Sequence, residues 1–323
     1  MKAIVVQEDK QLLWQEVEDP ALGVDEIRIR VHASAVNRAD LMQQAGLYPP
    51  PPGASHILGL ECAGEVTEIG SDVTQWNIGD KVCALLAGGG YAQTVVCKAN
   101  HALPVPNGFS YEEAAALPEV FATAWMNIFM LGQVEAGQKV VVHAGASGVG
   151  TAAIQLCKAK GNPIFVTVGD KEKLTFCTDL GAQAGHIRTE GDFESALKAW
   201  AGKGGVQAIL DPVGGQYLEH NIRSLATDGR LIIIGLMGGR KGELDLGRLL
   251  VKRIQVIGST LRSRSNESKA QVIAQLNEQV WPLFESGQLK PIIHKTFPIS
   301  DANEAFSLVA SNQTIGKVIL TVN

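Results

Sequence analysis

HAGASGVGTAAIQL, residues 143–156, is the stretch that decides the fold. The residues before it, Lys139 to Val142, read as a buried strand, and Val149, Ala152, Ala153, Leu156 and Cys157 recur at helical spacing after the turn. A glycine-rich loop between strand and helix aims its amides at the helix N-terminus, where unpaired N–H donors and the macrodipole stabilise an anion. Gly145 is expected to permit the tight turn. Gly150, lacking a Cβ, is expected to let the helix approach the sheet. Taken alone, Gly145, Gly148 and Gly150 either hold a phosphate or merely turn the chain. Ser147 sits where the nucleophile of an α/β-hydrolase would, but that elbow requires glycine at the position of Val149. Ser147 therefore either bonds a cofactor phosphate or ribose, or caps the helix.

Outward from the loop, KVVVHAG, PIFVTVG, VQAILDP, RLIIIG and RIQVIGS are apolar, β-branched runs separated by helical segments. This predicts an α/β fold with a parallel sheet covered on both faces. The first 105 or so residues have another rhythm: IRIRVHASAV alternates with period two, and GEVTEIG, DKVCALL and YAQTVVCKA are short runs between glycine-bearing turns. They predict a β-rich module. Tyr111 to Leu131 favours helix broken near Pro118, and SNESKAQVIAQLNEQVWPLFESG predicts one amphipathic helix ended by Gly287. The closing GKVILTVN is a strand expected to return to the first module.

With 33 acidic and 28 basic side chains the net charge is −5, which offers nucleic acid or anionic lipid no general attraction. The N-terminal apolar run is too short for a signal peptide or a span, so no membrane partner and a cytoplasmic location are expected. Cys62, Cys83, Cys97, Cys157 and Cys177 form no C-x-x-C pair and read as buried small hydrophobes.

The glycine loop, SAVNRADLMQQAGLYPPPPGASHILGLECAGEV, LLAGGGYAQ, IIGLMGG and TLRSR together resemble the medium-chain dehydrogenase/reductase superfamily. Within it they look like the zinc-free quinone oxidoreductases, in particular the branch inducible by a tumour suppressor. The resemblance implies a GroES-like catalytic domain at 1–118, completed by 263–323, and a doubly wound Rossmann domain at 119–262, with a nicotinamide dinucleotide in a cleft between them. It also implies a homodimer in which RIQVIGST strands pair, the alternative being an ordinary edge strand.

Zinc-dependent relatives ligate metal through a Cys before R-x-D and a His in G-H-E. This chain has Asn37 and Leu60 there, neither of which supplies thiolate or imidazole, so no metal is expected. The resemblance implies that Asn37 and Tyr48 line the acceptor site as the catalytic residues. Their alternatives are a turn-stabilising side chain and a packed loop aromatic. It places Gly145, Ser147, Gly148, Val149 and Gly150 on the cofactor phosphates, Thr123 against the nicotinamide ribose, and Gly235, Leu236, Met237, Thr260 and Leu261 around the ring and carboxamide. For cofactor choice, an acidic residue about twenty positions after the loop would bind a ribose 2′-hydroxyl and select NAD. NADPH-binding relatives resemble this chain at Gly169 and Lys173 but have a small hydroxyl residue at Asp170 and a tyrosine at Arg188. Lys173 and Arg188 can bind a 2′-phosphate, so NADPH is expected, with NADH kept open by Asp170. The implied reaction is hydride transfer to a small quinone. Reduction of enals or other activated alkenes, or a non-catalytic cofactor-binding role, are the alternatives, and a one- or two-electron outcome is left open.

Overall fold

The computed structural model describes residues 1–322. In chain order the strands are β1 (Lys2–Val6), β2 (Leu12–Glu16), β3 (Glu26–Val36), β4 (Glu61–Ile69), β5 (Lys81–Leu85), β6 (Thr94–Lys98), β7 (Ala102–Pro104), β8 (Val140–His143), β9 (Ile164–Val168), β10 (Ala184–Ile187), β11 (Val206–Asp211), β12 (Leu225–Ile233), β13 (Gln255–Gly258), β14 (Ile293–Pro298) and β15 (Lys317–Thr321). Five helices bear on the site: α1 (Arg38–Gln44), α2 (Tyr111–Ala115), α3 (Pro118–Trp125), α4 (Gly148–Ala159) and α5 (Lys171–Leu180). The chain divides into two compact units, Met1–Ala122 with Leu261–Asn323, and Thr123–Thr260. The divisions fall after residues 122 and 260, where the sequence reading had put them after 118 and 262.

In the first unit the sheet order is β14-β15-β3-β4-β5-β7, with β6 also on β3. The alternation of IRIRV in β3 buries Ile27, Ile29 and Val31 against a core shared with Val66, Val82, Val318 and Leu320. Lys317 begins β15, which pairs antiparallel with the end of β3 (Val318 opposite Val36), and β3 in turn pairs with the start of β4 (Ser34 opposite Cys62). This register brings Asn37, Glu61 and Lys317 to one end of three adjacent strands. The expected single helix after residue 265 is two, Asn266–Gln279 and Trp281–Glu285, because Pro282 cannot continue the backbone ladder.

The second unit has an all-parallel sheet in the order β10-β9-β8-β11-β12-β13. Strand order reverses between β8 and β11, and ligands of such sheets sit outside the carboxyl ends of strands at that point. Sequence periodicity found five of these strands. It missed β10, whose Ala-Gly-His-Ile offers one well-buried side chain, Ile187. Tyr111–Leu131 is long and apolar enough to cross a membrane, yet 78% of its most apolar window is buried. All five cysteines are free and buried, and burial pushes the thiols of Cys97 and Cys177 up to about 12.

Candidate active site

At the carboxyl end of β8 the glycine loop turns into α4. Ser147 is the helix N-cap, its Oγ accepting the Gly150 N–H at 3.0 Å, while the Thr151 N–H donates to the Ser147 carbonyl at 2.8 Å. The amides of Gly148 and Val149, also in the first turn, have no carbonyl one turn back within the helix. The glycines act differently from the sequence expectation. The left-handed residue of the turn is Ala144, with φ +56°. A Cβ on Gly145 would lie 2.6 Å from the Val166 Cβ, and one on Gly150 would lie 2.4 Å from the Gly145 carbonyl oxygen and 2.5 Å from that of Ala144. Gly145 thus admits the neighbouring strand, and Gly150 admits the loop itself. This close-packed cradle of amides fits a dinucleotide pyrophosphate.

Gly169, Asp170, Lys173 and Arg188 follow β9 and β10. Asp170 caps α5, its Oδ1 accepting the Lys173 N–H at 2.9 Å, and the Lys173 ammonium lies 3.8 Å from its Oδ2. The aspartate is therefore occupied by its own helix. Gly169 faces the Arg188 Nε, which a Cβ at that position would meet at 3.8 Å. Arg188 is exposed and lines a recess with Tyr217 and His220. Leu236 and Met237 are half exposed in the loop after β12, where the Met237 N–H donates to the Pro212 carbonyl at 3.2 Å. A Cβ on Gly235 would press on that same carbonyl at 2.8 Å. Thr123 is buried, its carbonyl accepting the Asn127 Nδ2 at 2.7 Å. Thr260 is exposed and ends this unit, while buried Leu261 belongs to the first.

Behind the loop lies a network that sequence reasoning missed. His143 is buried, with Nδ1 3.0 Å from Thr167 Oγ1 and Nε2 2.7 Å from Asn221 Oδ1. The Asn221 Nδ2 donates to Asp211 Oδ2 at 3.1 Å, and Asp211 also accepts the N–H groups of Val213 and Gly214. Since Asn221 offers its oxygen to the ring, Nε2 must carry the proton and Nδ1 accepts from Thr167. Burial pulls the His143 pKa down, so this neutral ring ties the end of β8 to the turn after β11.

In the first unit Asn37 precedes α1. Its backbone N–H donates to Asp40 Oδ2 at 2.8 Å, and its Nδ2 donates to Glu61 Oε1 at 2.9 Å. The Lys317 ammonium donates to Asn37 Oδ1 at 2.7 Å and to the Val36 carbonyl at 3.0 Å, and it pairs with Glu61 Oε1 at 2.8 Å. Asp40 is sealed under the Tyr91 hydroxyl and the Gly59 N–H, and burial pushes its carboxyl up to about 6. Tyr48 is half-buried, with the Arg262 guanidinium 5.5 Å from its ring centroid. Burial first, and then the charge of Glu119, raise the Tyr48 phenol pKa. Glu119, second residue of α3, donates its backbone N–H to Glu61 Oε2 at 2.8 Å. Of this group the sequence reading had named Asn37 and Tyr48 as site residues. Glu61, Glu119 and Lys317 carried one readable signal, a charge set among apolar residues, which is rarely buried unless paired; Asp40 and Arg262, in NRADL and TLRSR, carried none.

The family model described as "Zinc-binding dehydrogenase" matches residues 148–278, and that of the "Alcohol dehydrogenase GroES-like domain" matches 23–107. The chain is 31% identical to the synaptic vesicle membrane protein VAT-1 homolog of Danio rerio, over 97% of this chain and 67% of that protein. The chain belongs to the medium-chain dehydrogenase/reductase superfamily. Quinone oxidoreductase-like protein 2 of Mus musculus is 29% identical over 99% of this chain and 92% of its own. Among solved structures, Escherichia coli quinone oxidoreductase complexed with NADPH superposes with a TM-score of 0.86 at 26% identity, covering 99% of this chain and 98% of that one. CurK enoyl reductase does so at 0.86 and 27%, covering 100% and 99%.

Membership of the medium-chain dehydrogenase/reductase superfamily makes the protein an NAD(P)H-dependent oxidoreductase with a GroES-like domain and a Rossmann domain. The name of one family model raises zinc, and the donors do not fit it. Asn37 and Glu61 are bonded to a lysine cation, Leu60 has no donor atom, and Cys62 is a buried thiol with its pKa pushed well up. Elsewhere among the described residues, Asp192, Glu194 and His220 each bring a ligand atom within 4.8 Å of the others. Glu194 is already paired with Lys198, His220 and Arg223, so this group is an ion-pair cluster.

Proposed function

We propose that the protein is a zinc-independent reductase that uses NADPH to reduce small quinones. The observation that carries this reading is the Lys317 ammonium bonded to both Asn37 and Glu61. A cation of the chain's own engages the residues nearest the family's metal position, which favours an acceptor already electrophilic without a Lewis acid. The quinone oxidoreductases among its relatives support the quinone, and the likeness to an enoyl reductase makes an activated alkene the second reading. When bound, NADPH supplies the hydride.

The chain's part is to hold the reactants. The Gly148 and Val149 amides take the pyrophosphate, and Thr123, Gly235, Leu236, Met237, Thr260 and Leu261 serve the nicotinamide end. Tyr48 orients the acceptor by ring contact, and Asn37 keeps Glu61 in place. Steady-state NADPH oxidation with and without a simple quinone tests the reading. A single-turnover isotope effect from deuterium at the transferred C4 position reports the chemical step. Absence of quinone-dependent oxidation across several quinones, with oxidation by an enal, would replace the quinone by the alkene.

Lys173 and Arg188 are proposed to favour NADPH, since Asp170 already caps α5. Arg188→Ala is expected to weaken NADPH binding by about 1 to 3 kcal/mol, the worth of a charge-assisted hydrogen bond, and to leave NADH nearly unchanged by calorimetry. Equal losses for both cofactors would assign Arg188 to adenine or packing.

We also propose a homodimer joined along β13, which among the described residues pairs only with β12, with the exposed Leu250 and Val251 a few residues before it in the chain. Sedimentation at micromolar concentration should give twice the 34.4 kDa chain mass, and Val256→Pro should shift it toward a single chain mass.

A further inference from the structure

We propose that Glu119 is the acid that protonates the acceptor after it has taken the hydride. This rests on the reductase reading. Three carboxyl groups meet in the first unit, and two of them are consumed. Asp40 accepts from the Asn37 and Gly59 amides and from the Tyr91 hydroxyl, and Glu61 from Asn37, Lys317 and the Glu119 amide. Both are sealed from solvent, at 1% and 0% exposure, whereas Glu119 keeps part of its surface open. Its backbone bond to Glu61 Oε2 anchors the start of α3 beside that carboxylate. Among the described residues, Glu119 is thus the member of the cluster whose carboxyl is not held by hydrogen bonds within it and can exchange a proton with a bound molecule.

The charges around it decide its state. Burial and the neighbouring Glu61, with a smaller push from Asp40, raise the carboxyl to about 8, against the opposing pull of Lys317 and Arg262. Lys269, on the helix Asn266–Gln279, and Tyr48 sense the same group. At neutral pH Glu119 therefore carries a proton, which a carboxyl in water would have lost.

The step balances. A quinone that receives a hydride, two electrons and one proton's mass, becomes the hydroquinone monoanion, and the dihydronicotinamide is what is oxidised. The O–H bond of Glu119 breaks as a new O–H forms on the hydroquinone oxygen, and the carboxylate is reprotonated from solvent. Tyr48, whose ring lies under the Arg262 guanidinium and whose phenol feels the Glu119 charge, is the residue proposed to hold the acceptor beside the acid.

Glu119→Gln retains shape and the backbone bond to Glu61 but cannot donate the proton. Turnover at pH 7 should fall about 100-fold, the low end of general acid contributions, with NADPH affinity unchanged. Wild-type turnover should decline as pH rises through about 8 and show a solvent isotope effect; both should vanish in Glu119→Gln, and Glu119→Asp should restore part of the pH-dependent limb. Infrared titration of the protein without cofactor should find a carboxyl ionising near 8 that is missing from Glu119→Gln. Wild-type quinone turnover that survives Glu119→Gln with its pH profile intact, or a Glu119 band ionising near 4.5, overturns the proton-donor role alone. A wild type that reduces neither quinones nor enals overturns the reductase reading and this role with it.

Discussion

Lys317→Met is expected to destabilise the protein by about 3 to 5 kcal/mol, the cost of removing one partner from a buried ion pair. Lys317 is 4% exposed and Glu61 is not exposed at all. All three ammonium hydrogens have acceptors: the Val36 carbonyl, Asn37 Oδ1 and Glu61 Oε1. Removing the cation leaves Glu61 charged and dry, with only the Asn37 amide and the Glu119 N–H to stabilise it. Urea unfolding measures the loss, and two companion experiments assign it. Adding Glu61→Gln to Lys317→Met should recover much of the stability, since no uncompensated charge then remains buried. The deficit should also shrink as pH falls, because an unpaired buried carboxyl is protonated more readily in the folded state than in the unfolded one. A single-variant cost below about 1 kcal/mol would mean that Glu61 has another counter-charge.

The wild type has a related pH signature. Asp40 and Glu119 titrate at about 6 and about 8 in the folded chain, above the ordinary 3.8 and 4.5. Folded-state pKa values raised by burial mean that the stability these groups contribute is full below their unfolded values and is lost as pH rises through the folded ones. Their contribution therefore declines between about pH 4 and 8, opposite in sign to that of a salt-bridged surface carboxylate.

Why one half of the site was legible in the sequence and the other was not follows from how each is built. The dinucleotide loop is local. Strand, glycines and helix lie within HAGASGVGTAAIQL, so periodicity and turn chemistry expose them together. Even there the individual glycine roles needed coordinates, because nothing in the letters says that Ala144 takes the left-handed turn or that Gly150 faces two carbonyls. The charged cluster is non-local. Asn37, Glu61, Glu119 and Lys317 are spread over 280 residues: β15 pairing with β3 and β3 with β4 brings three of them together, and Glu119 joins from α3 through its backbone bond to Glu61. Each one alone shows at most a charge or amide among apolar residues, and nothing that names its partners. His143 is similar: its place at the end of a buried strand was readable, whereas its bond to Asn221, 78 positions away, was not.

Gly150→Ala is expected to raise the dissociation constants of NADPH and NADH alike by about 100-fold, close to 2.7 kcal/mol. The added Cβ would stand 2.4 Å from the Gly145 oxygen and 2.5 Å from the Ala144 oxygen. Both are backbone atoms, so no side-chain rotation relieves the clash. Either the loop carbonyls withdraw or α4 slides away, and both movements dislodge the Gly148 and Val149 amides from their cradle. Overpacking of this kind also costs about 1 to 3 kcal/mol of stability, which urea unfolding reads separately. Gly204→Ala is the control, since a Cβ there would meet nothing within 4 Å and the position lies far from the residues assigned to the cofactor. The pattern across cofactors is what identifies the loop. The pyrophosphate is common to NADPH and NADH, so a pyrophosphate cradle loses both equally, in contrast to the NADPH-selective loss expected of Arg188→Ala. If Gly150→Ala folds and binds both cofactors within threefold of wild type, the loop turns the chain without holding the cofactor, and the dinucleotide rests on other residues.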